Sequence, residues 1–117
     1  MPKTPKFGSA PKSAYRKYGG KVEHSAHGVH VVYDSGWTVS IQWGAGNYCD
    51  NHRASFNAPV SPSSTAEVAC WHNNGKMVQF DDGDTVQGWQ SWEQVQRLLE
   101  AASSPLWNGP VGMLAPN

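Results

Sequence analysis

Cysteine is scarce in this chain: Cys49 and Cys70 are the only two among 117 residues. Two thiols are too few for a disulfide scaffold, and the expected setting is a reducing cytoplasm. Charge is scarce as well, at 15% of residues against the ~25% usual in soluble domains. No apolar run reaches the ~18–20 residues of a membrane span. No apolar stretch follows the basic amino-terminus in the manner of a secretory signal. A phosphate-cradling glycine loop, a dinucleotide fingerprint and a paired-carboxylate arrangement are all missing, which argues against the reactions those motifs serve.

What fills the space is Ser, Asn, Gln, Gly and six tryptophans. Trp is large, rarely buried to its edges and enriched at binding hot spots. A core this small is not expected to hold all six, so one or two should lie on a contact surface. A chain of this length is one domain at most, and a body of about 80 residues gains from pairing with a partner or a second copy.

The formal net charge of zero conceals an asymmetry. Residues 1–22 carry Lys3, Lys6, Lys12, Arg16, Lys17 and Lys21 and no acid, whereas the remainder sets Arg53, Lys76 and Arg97 against nine acids, a net of −6. Residues 1–21, with three prolines and no apolar period, read as a disordered basic arm. Its six cations, with Tyr15 and Tyr18 for stacking, are the candidate contacts to a nucleic acid.

The folded body is expected over residues 22–104, with 105–117 as a carboxy-terminal tail. Residues 29–34 and 37–44 flank Ser35-Gly36, two β-branched and aromatic runs about a short turn, and predict a hairpin. Val29, Val31 and Tyr33 should share its inner face with Trp37, Val39, Ile41 and Trp43. Residues 66–71 and 77–80 predict a second hairpin about Asn73-Asn74-Gly75, with Ala66, Val68 and Cys70 inward and Trp71 outward. Ser91 then caps a helix, Gln94 completes a capping box, and Val95, Leu98, Leu99 and Ala102 form one apolar stripe. The class is therefore α+β: an antiparallel sheet of about four strands, two hairpins, with one carboxy-terminal helix packed on one face.

Chemistry-bearing residues are few. His24, His27 and His30 fall on extended chain, where their spacing does not converge. Cys49, His52, Cys70 and His72 include the donor types of a tetrahedral zinc site, but without a metal-knuckle pattern; a buried Cys70 and a surface His52 explain them better. Cys49 with His52 as nucleophile and base lacks any oxyanion element. Asp81, Asp82 and Asp84 make an acidic turn without the further spaced ligands of a calcium loop. No catalytic residue, metal or cofactor is assigned. The long irregular segment 44–64 is the first place to look for function, and the candidate partner-binding residues are Tyr48, Arg53 and Phe56 within it, then Trp71, Asp81, Asp82 and Asp84.

The order of elements in Val32-Tyr33-Asp34-Ser35-Gly36-Trp37, Ala66-Glu67-Val68-Ala69 and Asp84-Thr85-Val86-Gln87-Gly88-Trp89, with the Ser-capped helix behind them, resembles a family of small bacteriophage and prophage accessory proteins. The likeness spans residues 29–101, and the basic amino-terminus departs from it. What it implies is a setting, the host bacterial cytoplasm. There a non-enzymatic protein would bind and inhibit or redirect a host protein, such as a CRISPR or restriction defence complex. The runner-up is a nucleic-acid binder led by the basic arm, and the third reading is a small zinc-dependent protein.

Overall fold

Apolar side chains alternate with polar ones from Val29 to Trp43, and the computed structural model turns that period into sheet. It describes residues 4–25, 27–50, 62–80 and 83–109. Among these residues five strands, β1 (Lys21–Ser25), β2 (Gly28–Val32), β3 (Trp37–Gln42), β4 (Ala66–His72) and β5 (Gln87–Gln90), precede one α-helix, α1 (Trp92–Ala102). The sheet is antiparallel throughout and its spatial order follows the sequence, β1 to β5. The expected α+β architecture is present, with five strands rather than about four.

Register explains the core. Val22, Val31, Val39 and Cys70 align across β1 to β4, and Val29, Ile41 and Val68 form the next row. All are buried, because residues paired across strands point to the same face. The helix lays Val95, Leu98, Leu99 and Ala102 onto this face. Each fully buried aliphatic side chain there contributes about 1.5–3 kcal/mol. Ser91 Oγ accepts from the Gln94 amide while the Gln94 side chain accepts from the Ser91 amide, so the capping box forms as read.

The turn between β2 and β3 is longer than two residues. Tyr33 N–H donates to the Trp37 carbonyl and Gly36 N–H to that of Tyr33, with Gly36 at φ +102. This is a three-residue connection whose bulge position needs positive φ, which glycine supplies. Ser35 Oγ donates to the Ala102 carbonyl at 2.5 Å and ties the turn to the end of the helix.

The second hairpin is cut short. After the turn at Asn73-Asn74-Gly75, Met77 makes a single bridge to Trp71 and Val78 N–H donates to the Cys70 carbonyl. The chain then leaves the sheet so that Val78 and Phe80 enter the core. The rest of the β4 edge goes to β5, a strand the sequence reading missed.

The amino-terminal segment overturns the expectation of a disordered arm. Phe7 and Tyr15 are buried, Phe7 exchanges both backbone hydrogen bonds with Ser63, and Lys12–Tyr15 form a 3-10 turn. Phe7 and Tyr15 both pack on Trp43 and Trp92. Two large rings offset the ordering of a segment whose lysines stay in water. Residue 21 is not arm but the first residue of β1. Burial pushes the Tyr15 hydroxyl up to about 12, a nearby backbone group at Gly8 opposing it, and pushes the Cys70 thiol up to about 12. Tyr33 is raised further, by burial first and then by the neighbouring Cys70 and Tyr18.

In the tail, Trp107 packs on Trp37 and its carbonyl accepts from the Trp37 indole N–H. Residues 110–117 lie outside the described residues. Among the described residues no helix is long and apolar enough to cross a membrane.

Candidate functional site

Six tryptophans divide by environment. Trp37, Trp43 and Trp92 are buried, Trp71 and Trp107 half-buried, and Trp89 is exposed at 51%. Trp92 joins the apolar face of the helix, which leaves Trp89, three residues earlier and outside the helical period, with no place in the core. Beside it Tyr48 is exposed at 59%. The two rings stack with centroids 5.7 Å apart and planes 24° from parallel.

A bulge builds this pair. In the β4–β5 ladder Ala66 faces Gln90 and Val68 faces Gln87, so Glu67 alone stands opposite both Gly88 and Trp89. Two residues against one is the signature of a β-bulge, a device that re-aims side chains at sheet edges. Trp89 takes φ +49 and is the only non-glycine residue at positive φ among the described residues. That conformation costs an L-residue about 1–2 kcal/mol, and outliers of this sort cluster at functional sites.

Neighbouring contacts hold the geometry. Trp89 N–H donates to the Tyr48 carbonyl at 2.8 Å, and Tyr48 N–H donates to Glu67 Oε2 at 2.8 Å. The Gln90 side-chain Nε2 donates to the Gly88 carbonyl. Gly88 is required by contact: a Cβ there would lie 2.5 Å from that of Tyr48. Asp50 N–H donates to Thr65 Oγ1, and Ser64 Oγ donates to the Asp50 carboxylate. Tyr48 is thus clamped between β4 and β5, while its ring faces solvent.

The other anticipated contacts fare differently. Trp71 is half-buried and stands edge-on to His30, ring centroids 5.2 Å apart, so it is part of the outer sheet face rather than a free anchor. Asp84 is exposed, with Oδ1 accepting from the Val86 amide. Arg53, Phe56, Asp81 and Asp82 lie outside the described residues. Of the expected partner-binding set the structure therefore places Tyr48 at the exposed pair, and it adds Trp89 and Glu67, which the sequence reading passed over.

The four metal-type residues separate as follows. Cys49 and Cys70 are buried thiols not joined in a disulfide, Cys49 Sγ donating to the Gly44 carbonyl at 3.6 Å. The His72 ring lies against Trp37, and its Nδ1 accepts from the Asn74 amide. His52 is outside the described residues. Among the described residues no three His, Cys, Asp or Glu side chains gather in a way that could hold a metal ion.

The basic set does not project as a free arm. Lys6, Lys12, Arg16, Lys17 and Lys21 are all exposed, the first four on a segment anchored by Phe7 and Tyr15 and Lys21 at the start of β1. Arg16 Nε donates to the Gly20 carbonyl, and Lys17 Nζ sits over the Tyr18 ring, 5.5 Å from its centroid. Lys3 lies outside the described residues.

Compared with protein-family models, with curated proteins and with solved structures, the chain matches none.

Proposed function

We propose that this protein acts by binding, without catalysis, and that the Tyr48–Trp89 pair is the anchor it offers to a protein partner. The observation that carries this is a stacked, solvent-facing aromatic pair, one ring of which, Trp89, is held at positive φ on a bulge. Strained backbone and exposed rings both cost stability, and a docking surface is the use that repays them. The resemblance to phage accessory proteins supplies the setting: a host protein, bound stoichiometrically and inhibited or redirected, a CRISPR or restriction defence complex among the candidates.

The test is affinity capture from a bacterial lysate treated with nuclease, using the full chain, Trp89→Gly and Leu106→Ala. Leu106 is exposed at 91% and far from the pair in sequence, which makes it a control for non-specific apolar contact. One stoichiometric species lost with Trp89→Gly and kept with Leu106→Ala is the expected result. A species retained equally by both variants rejects the anchor.

The second reading is nucleic-acid binding, favoured by four exposed cations on one packed segment and a fifth, Lys21, at the start of β1. Deleting that segment would remove Phe7 and Tyr15 from the core, so the informative variants are Lys and Arg to Ser at positions 6, 12, 16, 17 and 21. Binding that follows these residues should weaken with salt, log K falling with slope about −0.7 per phosphate contact on a single strand.

A further inference from the structure

We propose that the Tyr48–Trp89 pair recognises a cation, an arginine side chain on a basic segment of the partner; this rests on the binding role argued above and names its chemistry. Two exposed aromatic rings alone would accept any apolar group. What narrows the choice is the charge around them. The described segments that meet at the bulge, residues 48–50, 64–68 and 87–90, carry Asp50 and Glu67 and no lysine or arginine.

Glu67 is the nearest of these acids in the ladder, since it is the residue the bulge faces. One of its oxygens accepts from Tyr48 N–H. Among the described residues the other, Oε1, takes no hydrogen bond, although the residue is half-buried. A half-buried carboxylate with a spare acceptor is poorly matched to an apolar ligand, which would strip its water and return nothing. A guanidinium answers both features: its plane stacks on aromatic rings and its N–H groups donate to a carboxylate. A lysine ammonium supplies the charge but not the flat face. The acidic balance beyond residue 22, net −6, draws a basic segment toward this edge from a distance.

The probe is an acetylated, amidated peptide of alternating glycine and arginine, titrated into the full chain by calorimetry with the Trp89 indole N–H followed by NMR. Matching peptides carry glutamine or glutamate in place of arginine. Glu67→Gln retains an oxygen to accept from Tyr48 N–H and removes only the charge, and its melting temperature checks that the fold is kept. The expected result is binding of the arginine peptide alone, shifts at Trp89, and affinity about tenfold lower in both Glu67→Gln and Trp89→Gly.

Equal binding of the glutamine peptide, or arginine-peptide binding unchanged by Glu67→Gln, overturns the proposal. So does an oligothymidylate that shifts Trp89 and loses affinity in Trp89→Gly, which would make the rings a base-stacking site. If the captured partner is lost with Trp89→Gly but kept with Glu67→Gln, the anchor stands and the cation does not.

Discussion

Phe7 packs against Trp92 with ring centroids 5.2 Å apart and planes at 44°, joining the amino-terminal segment to the first turn of α1. Because Phe7 is buried and also meets Trp43, Phe7→Ala should destabilise the protein by about 3–5 kcal/mol. Lys12→Ser, exposed on the same segment, should stay within about 0.5 kcal/mol. Urea denaturation of the two variants decides between a structural segment and a loose arm, since an arm would give two equal, small effects.

Trp89→Gly should leave stability within about 1 kcal/mol of the parent. Glycine relieves the positive-φ penalty of about 1–2 kcal/mol, while its greater freedom in the unfolded chain takes back about 0.5–1 kcal/mol. Trp89→Val keeps the penalty and adds a β-branched side chain, so it should be the less stable of the two. Thermal melts that rank them the other way would show that the φ of +49 is not what the bulge requires.

Ser91→Ala removes the acceptor for the Gln94 amide and should cost about 1 kcal/mol. Gln94→Ala removes the reciprocal bond. The double variant should cost less than the sum, because either single change already disables the reciprocal arrangement. Additive costs in a double-mutant cycle would mean that the two bonds act independently.

Alkaline pH should unfold the protein before it unfolds an average domain. Cys70 ionises at 9.0 when free and near 12 in the fold, Tyr15 at 10.0 and near 12. Between those values the unfolded chain sheds protons that the folded chain keeps, so stability falls as pH rises through that window and is fully present below pH 9.0. Tyr15→Phe removes one of these groups with little change of shape. Its stability should therefore decline less steeply above pH 10.0. Near-ultraviolet circular dichroism along a pH series measures both profiles, and identical slopes would contradict the assignment.

Much of the architecture could be read from local pattern. The β2–β3 pair, the inward sets on β3 and β4, the turn at Gly75 and the capped helix all rest on neighbours within a few residues. Each is written in periods of two or 3.6 or in a cap. Strand β5 was not legible in this way: Gln87-Gly88-Trp89-Gln90 is short and has no alternation, because its bulge breaks the period of two. The amino-terminal segment misled for a related reason. Its composition is that of a solvated tail, and only the groove between Trp43 and Trp92 gives Phe7 and Tyr15 somewhere to go.

The candidate site divides in the same manner. Tyr48 stood out as an aromatic in an irregular loop, and a surplus of tryptophan over core volume implied that at least one had to face outward. Which one it was depended on the fold. Trp71 and Trp89 are alike in sequence terms. The ladder places Trp71 on a continuous sheet face beside His30 and puts Trp89 on a bulge beside Tyr48.

The chain's own order thus determined its class, its strand faces and its helix, since those follow from side-chain period and capping chemistry acting locally. Tertiary packing alone decided that the basic segment is anchored and that Tyr48, Glu67 and Trp89 meet. Both outcomes depend on contacts between residues remote in sequence, whose free energy appears only once the sheet and helix have supplied the surfaces.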